Sequence, residues 1–346
     1  MKTSSLKHGE IDVLEKIERA FQKQPSGPGS DLKLAFGDDA ALLKAHPRGE
    51  VILTCDWFLE GSHFLRDKHP ADSVGWKCLA RAMSDIAAMG GYPTCFLLSL
   101  GIPDLDTGKW LDKFLSGLRR ASRQLHCPLA GGDTTRCDEI LINITVVGTG
   151  DGGRAVLRSG TKVGDLIYVS GALGEAEAGL RKVRAARGRA NPKAAAFRKH
   201  FYPVPRLALG QWLREKQVAN AMMDLSDGLS SDLPRLCAAS GVGAKIKAGS
   251  LPLPKGSSRN TDDPADLENL ALHGGDDYEL LFTVSRGKAK QLPKKIAGVS
   301  LTCIGEITAG RKIMLLDQTG RESQLPAGGW DPFRIMPRQI KRVPKS

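Results

Sequence analysis

Four short segments that combine glycine with aspartate recur along this sequence, and they constrain its fold more than any other feature. They are residues 37–41 (GDDAA), 129–136 (LAGGDTTR), 224–229 (DLSDGL) and 274–280 (GGDDYEL). Glycines allow the backbone to approach a bulky anion, and an adjacent aspartate can bind a metal ion. We therefore interpret these segments as turns that meet at one site, which requires both halves of the chain to contribute to it.

The length of the chain predicts two domains. It has 346 residues, of which 41% are hydrophobic, and this is enough for two folded units with separate cores. Residues 148–153 (GTGDGG) fit the GxGxxG pattern of dinucleotide-binding loops, but no helical pattern follows them, and the sequence contains no GxxxxGK[ST] loop. We read residues 148–153 as a turn between strands and place the boundary there, between domains 1–150 and 151–346.

Hydropathy and cysteine usage indicate a cytoplasmic protein without a membrane span. The longest apolar run, residues 95–102, is too short to cross a bilayer, and the N-terminal residues lack the apolar segment of a secretory signal. The seven cysteines are scattered and include no CxxC pair. Such usage is typical of reduced thiols in the cytosol, and it indicates neither a disulfide framework nor a zinc site.

The net charge of +12 at pH 7 predicts an anionic partner. Much of the basic excess lies in residues 181–199 and 338–345, and such runs are usually solvated surfaces. A surface that binds nucleic acid would interleave aromatic residues with basic ones, but residues 181–199 contain only Phe197. We therefore favour a small polyanion, and a basic nucleic-acid-binding protein is the alternative from another functional class.

The spacing of apolar residues predicts a mixture of helices and strands. Spacings of three and four predict helices at residues 10–21, 72–89, 110–125, 176–186 and 230–239, and short apolar runs predict strands at residues 32–36, 51–55, 96–100, 140–147, 166–170, 219–223 and 280–284. Acids follow two of these strands directly: Asp38 and Asp39 after the first, and Asp56 after the second. Carboxylates at strand ends can converge at one edge of a sheet.

The glycine-rich segments carry aspartates but no lysine. Bare carboxylates would repel a phosphate, whereas Mg²⁺ bound between them would attract it, because Mg²⁺ takes oxygen ligands from a few carboxylates and from substrate phosphates. Asp85 joins this set because it lies among small and apolar residues, where a buried carboxylate needs a metal or a cation; an acid on the helix surface or a local ion pair explains it equally well. The pattern predicts several Mg²⁺ ions and phosphoryl transfer, a reaction that depends on positioning and charge neutralisation.

In their order along the chain, the four segments resemble the motifs of the thiamine-monophosphate kinase family, and residues 84–90 and 158–160 agree with that resemblance. It implies an α+β fold of two domains, shared with aminoimidazole ribonucleotide synthetase. The N-terminal sheet domain would bind ATP and Mg²⁺ and pair with its copy in a homodimer, and a C-terminal α/β sandwich domain would complete the substrate site. The implied reaction is direct in-line transfer of the γ-phosphoryl group of ATP to thiamine monophosphate, which gives thiamine diphosphate and ADP.

The resemblance also implies roles for individual residues, carried over motif by motif. The metal ligands would be Asp39, Thr54, Cys55, Asp56, Asp85, Asp133, Asp224 and Asp227. ATP would be held by Gly132, Asp133, Arg158 and Ser226, and thiamine monophosphate by His63, Asp276 and Trp330. Asp85, Asp133 and Asp227 would matter most for catalysis, because they would hold the metals shared by the two phosphates.

Two residues depart from the family pattern. Cys55 stands where the family commonly has a hydroxyl residue, so only its backbone carbonyl would readily bind Mg²⁺. Asp276 replaces a glutamate, so its carboxylate has a shorter reach. Purely structural roles also stay open: Ser226 or Asp227 as a helix cap, Trp330 as a packing anchor and His63 as a structural histidine.

Two other ATP-using enzymes of the same superfamily are alternatives, namely aminoimidazole ribonucleotide synthetase and selenide-water dikinase. Selenide-water dikinases need a reactive cysteine or selenocysteine near the N-terminus, whereas the first cysteine of this sequence is Cys55. The acceptor oxygen of thiamine monophosphate is anionic near neutral pH, so phosphorylation of it requires no strong general base. The motifs offer no obvious one, which agrees with the kinase reading.

Overall fold

Two sheets, one from each half of the chain, organise the fold. The computed structural model describes residues 10–21, 32–34, 42–43, 50–150, 155–188, 194–254, 263–317 and 319–333. The first half forms a four-stranded sheet and the second half an eight-stranded sheet, and helices pack against both. This arrangement confirms the predicted α+β fold class.

The first half runs from α1 to β6. Its elements are α1 (Glu10–Phe21), β1 (Leu32–Leu34), β2 (Leu42–Leu43), β3 (Val51–Leu59), α2 (Ala71–Ala88), β4 (Tyr92–Ile102), α3 (Lys109–Gln124), β5 (Leu129–Arg136) and β6 (Leu141–Thr149). β1 and β2 form a separate antiparallel pair. The larger sheet has the order β3-β6-β4-β5, in which β4 and β5 are parallel and the other neighbours are antiparallel.

Helix α2 is the central helix of the molecule. Most of its side chains are buried, because it lies against β3, β6 and α3 of its own half and also contacts α6 and β8 of the other half. Two glycines allow α2 and α3 to pack closely: a Cβ atom on Gly75 would lie 2.0 Å from the carbonyl oxygen of Phe114, and one on Gly117 would lie 1.8 Å from that of Asp72. Polar residues of α2 therefore reach both halves of the chain.

The second half runs from β7 to β14. Its elements are β7 (Leu166–Ser170), α4 (Glu175–Ala185), α5 (Ala195–Phe201), α6 (Leu207–Glu215), β8 (Ala221–Leu225), α7 (Leu229–Ser240), β9 (Gly243–Lys247), α8 (Pro264–His273), β10 (Glu279–Val284), α9 (Arg286–Ala289), β11 (Lys295–Ile296), β12 (Val299–Thr308), β13 (Ile313–Leu316) and β14 (Glu322–Gln324). The strand order is β14-β13-β9-β12-β7-β10-β8, and β11 pairs with β12. Only the pairing of β13 with β9 is parallel among the described strands of this sheet.

Most helices and strands predicted from periodicity are confirmed. Helix α1 and strand β7 have the predicted bounds, and α2, α3 and α4 are each displaced from them by one residue. The bounds of such strongly periodic segments can be predicted from the sequence, because one face of each must be buried and is therefore apolar. None of the helices in the described ranges combines the length and the hydrophobicity needed to span a bilayer.

Two predictions were wrong, one about a glycine-rich segment and one about Asp56. Residues 129–136 are not a turn but the edge strand β5, which pairs in parallel with β4 over its whole length. Glycine is needed there for close approach, since a Cβ atom on Gly132 would lie 1.8 Å from the carbonyl oxygen of Leu98. Asp56 does not follow its strand but lies within β3, because β3 continues along β6 and places Asp56 opposite Ile144.

Candidate active site

Three charged residues form a polar stripe along the buried helix α2. Lys77, Arg81 and Asp85 are spaced four residues apart, so their side chains lie on one face of the helix. This face turns towards β3 of the first half and towards the motifs of the second half, as the contacts below show. Charged side chains are costly to bury unless they are paired, so each should have a partner.

The C-terminal end of this stripe meets side chains from strand β3. The hydroxyl group of Thr54 donates a hydrogen bond to Oδ2 of Asp85, and Nε of Arg81 lies 3.3 Å from Oδ1 of Asp56. Thr54 and Asp56 point towards α2 because residues two apart in a strand share one face. The predicted metal ligands Thr54, Asp56 and Asp85 are thus brought together.

Asp224 adds a carboxylate from the second half of the chain. It lies in β8, only 4% exposed, next to α2. Burial raises the pKa of Asp224 to about 8, and the neighbouring charge of Asp85 contributes to this shift. Burial likewise raises the pKa of Asp85, and the charge of Asp56 adds to it. These three acids act electrostatically on one another, and we refer to them as the carboxylate cluster (Asp56, Asp85, Asp224).

The two motifs of the second half lie side by side. The backbone N–H of Asp276 donates to the carbonyl oxygen of Ser226 over 2.8 Å, and that of Tyr278 donates to the carbonyl oxygen of Leu225 over 2.9 Å. Asp276 and Tyr278 have φ angles of 67° and 51°, which are uncommon for residues with side chains. The segment 274–278 is thus held in a tight conformation beside the end of β8.

The start of α7 is stabilised by Asp232. Its Oδ2 accepts hydrogen bonds from the backbone N–H groups of Ser226, Asp227 and Gly228, over 3.0–3.1 Å. The alternative that Ser226 or Asp227 caps this helix with its side chain is therefore wrong. The carboxylate of Asp227 instead pairs with Arg235.

Trp330 lies next to Asp227. The backbone N–H of Trp330 donates to the carbonyl oxygen of Asp227 over 2.9 Å, and 39% of the Trp330 residue surface is exposed. The late loop at residues 325–330 thus folds back onto the segment that begins α7. An exposed ring at this place is available to stack on a ligand, which a buried packing anchor would not be.

Lys77 is paired with Asp276 across the two halves of the chain. Nζ of Lys77 lies 2.7 Å from Oδ2 of Asp276, and the hydroxyl group of Tyr278 donates to Oδ1 over 2.7 Å. Burial alone would raise the pKa of Asp276, but the charge of Lys77 outweighs it, so the pKa lies well below the usual range. Asp276 is therefore ionised and fixed at both oxygens.

His63 is a neutral side chain close to this pair. Burial, together with the positive charge of Arg81, lowers the pKa of His63 to about 4. Its Nδ1 accepts a hydrogen bond from the backbone N–H of Leu59 over 3.0 Å, which leaves Nε2 as a hydrogen-bond donor. The ring can donate a hydrogen bond at Nε2 but is a poor general base there.

Two buried histidines connect Lys77 to the backbone. Nζ of Lys77 lies 3.3 Å from Nδ1 of His200, whose Nε2 lies 2.9 Å from Nε2 of His69; Nδ1 of His69 lies 3.1 Å from the carbonyl oxygen of Leu65. Burial lowers the pKa of His69 to about 4 and that of His200 well below its usual value. Both rings are therefore neutral at pH 7, and the chain of hydrogen bonds requires this.

This burial predicts a loss of stability in acid. The folded-state pKa of His69 lies near 4 and the unfolded value near 6.5, so the unfolded chain binds the extra proton between these values. Stability should therefore fall as the pH drops from 6.5 towards 4, and His69 alone should account for about 2 kcal/mol at pH 5. Urea unfolding at pH 7.5 and pH 5 measures this. His69→Gln keeps an acceptor for His200 but cannot titrate, so it should lose about 2 kcal/mol less than the parent; equal losses would contradict the assignment.

Some predicted site residues lie apart from the carboxylate cluster. Asp133 is exposed on the edge strand β5, where it pairs with Ser99 of β4. Strands β6 and β4 separate β5 from β3, the strand that carries Asp56. Asp133 also lies on the opposite face of the sheet from Asp56, which we call the outer face. Its carboxylate makes no hydrogen bond or ion pair within the described part of the chain. Cys55 also points to that outer face, where its sulfur contacts the side chain of Asn143. Asp38 and Asp39 lie outside the described residues.

Arg158 is exposed and acts electrostatically on the carboxylate cluster. Its positive charge acts to lower the pKa of Asp85, which places the guanidinium within electrostatic range of that carboxylate. Among the described residues, no group of three or more His, Cys, Asp and Glu side chains is spaced to hold a metal ion. The carboxylate cluster therefore does not form an enclosed metal site by itself.

Comparison with known proteins decides the family. Residues 37–150 match the family described as AIR synthase related protein, N-terminal domain, and residues 162–317 match AIR synthase related protein, C-terminal domain. The chain is 38% identical over 307 residues to the thiamine-monophosphate kinase of Escherichia coli (strain K12), which covers 88% of this chain and 93% of that protein. The chain belongs to the thiamine-monophosphate kinase family.

Solved structures in the thiamine-monophosphate kinase family share this fold. The crystal structure of the enzyme from Stenotrophomonas maltophilia K279a matches with a TM-score of 0.76 at 33% identity, covering 89% of this chain and 96% of that chain. The structure of AaThiL complexed with AMPPCP and TMP matches with a TM-score of 0.72 at 29% identity, covering 96% of this chain and 99% of that chain. The resemblance and the two-domain fold predicted from the motifs are confirmed.

Two residues that contact the candidate site of this thiamine-monophosphate kinase family member were not predicted from the sequence. Lys77 and Arg81 contact Asp276 and Asp56, which are both candidate site residues. The signal was present, because Lys77, Arg81 and Asp85 recur at a spacing of four residues within a helix that is otherwise apolar. Hydrophobic periodicity identifies the apolar residues of α2, whereas these two cations lie on its polar face.

Proposed function

We propose that this protein transfers the γ-phosphoryl group of ATP to thiamine monophosphate in line, giving thiamine diphosphate and ADP. The observation that carries the proposal is the meeting of Asp56 and Asp85 from the first half with Asp224 from the second. Acids that converge from distant segments, and that repel one another when ionised, are suited to a cation that carries phosphate. The named function of the E. coli relative supports the same reaction.

Mg²⁺ is the metal that we propose, because its chemistry fits these donors. Thr54, Asp56, Asp85 and Asp224 offer hard oxygen atoms, and Mg²⁺ often takes only one or two carboxylates and completes its shell with water and substrate phosphates. Asp39, Cys55 through its carbonyl group, Asp133 and Asp227 are proposed as ligands of further Mg²⁺ ions, because Asp133 lies on the other face of the sheet from Asp56 and cannot share an ion with it. When bound, Mg²⁺ would neutralise the charge of the phosphates during transfer.

The chain's own residues would hold and orient the two substrates. For ATP we propose Gly132, Asp133, Arg158 and Ser226, of which Arg158 lies within electrostatic range of Asp85. For thiamine monophosphate we propose His63, Asp276 and Trp330. His63 and Asp276 act electrostatically on each other, and the exposed ring of Trp330 can stack on a cationic thiazolium ring. Of these residues and the metal ligands, Asp85, Asp133 and Asp227 are proposed to be the catalytic ones.

The chemistry requires little from a general base. The accepting phosphate oxygen is already anionic, and His63, whose pKa is about 4, lacks the basicity to abstract a proton efficiently. Positioning and electrostatics would therefore supply the rate acceleration. We assign residues 1–150 to an ATP-binding and dimerisation domain and residues 151–346 to a domain that completes the substrate site, and we place the enzyme in the cytoplasm.

The outer face of the first sheet supports a homodimer. It exposes four large apolar side chains, three on β3 and one on β4, with β6 between these strands: Val51 (67% exposed), Leu53 (67%), Trp57 (55%) and Leu97 (36%). A cluster of this kind is typical of an interaction surface. We propose that two copies pair through these faces.

Trp57→Asp should disrupt such a dimer. A charge at the centre of an apolar interface would be buried without a partner, so the variant should elute as a monomer where the parent elutes as a dimer. Light scattering coupled to gel filtration gives the two masses. Leu105→Asp is a matched control, because Leu105 is 97% exposed and lies in the turn at Asp104–Asp106 that follows β4, not in a strand of the sheet. A parent that is monomeric at micromolar concentration would contradict the proposed pairing.

A coupled assay of ADP formation tests the reaction. Thiamine monophosphate, free thiamine and an aminoimidazole precursor are compared as acceptors with Mg²⁺ and ATP in excess. The proposal expects turnover with thiamine monophosphate alone. Turnover with the aminoimidazole precursor would instead assign the protein to the other branch of the superfamily, and salt-sensitive binding to DNA without any turnover would favour the nucleic-acid alternative.

A further inference from the structure

The ion pair between Lys77 and Asp276 joins the two halves of the chain, and neither residue belongs to the carboxylate cluster. Lys77 comes from α2 and its side chain is 2% exposed, whereas the side chain of Asp276 is 26% exposed. The lysine thus approaches the carboxylate from the protein interior. The open side of the carboxylate faces away from it.

The two oxygens of Asp276 are both engaged but not saturated. Oδ2 accepts from Lys77 and Oδ1 accepts from the hydroxyl group of Tyr278, each over 2.7 Å. A carboxylate has about four acceptor sites, so each oxygen can accept a further hydrogen bond. The backbone of the loop is fixed as well, by the N–H groups of Asp276 and Tyr278 that donate to β8 and the residue after it. The free acceptor sites therefore have defined directions.

The ammonium group of Lys77 is itself held in place. Nδ1 of His200 lies 3.3 Å from Nζ, and His200 is fixed by His69. All of these side chains except Asp276 are buried. A lysine on a flexible stem would not orient a carboxylate, but a buried lysine whose ammonium group lies within hydrogen-bond distance of His200 can do so.

We propose that Lys77 is a positioning residue for the acceptor substrate: it orients the carboxylate of Asp276 so that this group accepts a hydrogen bond from the amino group on the pyrimidine ring of thiamine monophosphate. This inference rests on the proposed function. The amino group is favoured over the cationic thiazolium ring because the charges of Lys77 and Asp276 cancel. What the pair offers to a ligand is a directional acceptor and not a net negative charge.

Steady-state kinetics of Lys77→Met tests the proposal. We expect KM for thiamine monophosphate to rise about tenfold, while KM for ATP stays within about twofold of the parent, because only the acceptor substrate meets Asp276. Lys77→Arg restores a cation and should recover most of the loss. Lys68→Met is the matched control, since the ammonium group of Lys68 donates to the carbonyl oxygens of residues 184 and 186 and not to a candidate site residue within the described part of the chain. Equal rises of both KM values, or none, would overturn the proposal.

A substrate analogue adds a readout that a structural role would not change. In the analogue, a carbonyl oxygen replaces the pyrimidine amino group, so it cannot donate to Asp276. The parent should bind it about tenfold more weakly than thiamine monophosphate, and Lys77→Met should bind both within about twofold. If the parent binds the analogue as tightly as thiamine monophosphate, the inference is wrong. It is also wrong if Lys77→Met still binds the analogue tenfold more weakly than thiamine monophosphate.

A second variant covers the case in which Lys77→Met does not fold. Tyr278→Phe removes the other hydrogen bond to Asp276 without a change of charge or shape, and it should reduce the discrimination against the analogue by severalfold; unchanged discrimination would overturn the inference. The two proposals fail separately. A parent that does not phosphorylate thiamine monophosphate at all refutes the proposed function, whereas an active parent with unaffected variants refutes only the role of Lys77.

Discussion

Asp85→Asn is expected to lower kcat by about a hundred- to a thousandfold and to leave the protein folded and at least as stable as the parent. An asparagine keeps the shape of the side chain and can still accept the hydrogen bond from Thr54. It cannot supply the negative charge that the proposed Mg²⁺ requires. Burial raises the pKa of Asp85, which means that the ionised carboxylate destabilises the fold, so its neutral replacement should not lower the melting temperature.

A loss of turnover without a loss of stability distinguishes a functional residue from a structural one. Thermal unfolding and turnover are measured for the parent, for Asp85→Asn and for Asp72→Asn, which alters a half-buried carboxylate in the first turn of the same helix that pairs with Arg120 and accepts a hydrogen bond from Tyr202. The control should keep its activity and lose at most about 1 kcal/mol. If Asp85→Asn were as active as the parent at saturating Mg²⁺, the assignment of Asp85 would be wrong.

Glu279→Ala is expected to cost about 3–5 kcal/mol of stability, the largest loss that we predict for a single substitution. Glu279 is fully buried, and its carboxylate is bound by Nε and Nη2 of Arg206, by Lys199 and by the hydroxyl group of Ser170. Burial would raise its pKa, but Arg206 outweighs this and lowers it. Removal of the acid leaves a largely buried guanidinium without its partner, which is the costly step.

Two variants check this explanation by urea unfolding. The double substitution Glu279→Met with Arg206→Met removes both charges, so it should recover most of the stability lost in Glu279→Ala. Glu322→Ala breaks the exposed pair with Lys245 and should cost no more than about 1 kcal/mol. If the double variant were less stable than Glu279→Ala, the unpaired charge would not be the cause of the loss.

The sequence predicted most elements of the first half because burial leaves a periodic trace in them. Helix α1 was predicted to the residue, since one apolar face is enough to define it. Strand β5 was missed because its glycines and aspartate have the composition of a turn. What makes it a strand is pairing with β4, which depends on residues 92–102 and is not visible in the segment itself.

The candidate site could be predicted only in part. The motifs pointed to Asp56, Asp85 and Asp224, and these residues lie together. Lys77 and Arg81 pair with the candidate residues Asp276 and Asp56, but they do not lie in a glycine-rich segment. Their roles became visible only from the packing of α2 in the structure. Asp133 looked equivalent to the others in sequence, yet the direction of its side chain depends on the register of β5, which places it on the outer face of the sheet.

The most direct test follows the labelled γ-phosphate of ATP in a single turnover with Mg²⁺ and thiamine monophosphate. The account predicts that the label moves into thiamine diphosphate at the same rate as ADP appears, that none is bound to the protein at any time, and that Asp85→Asn slows this step. Label released as inorganic phosphate, or trapped on the chain, would contradict direct transfer between two substrates held at the junction of the two halves.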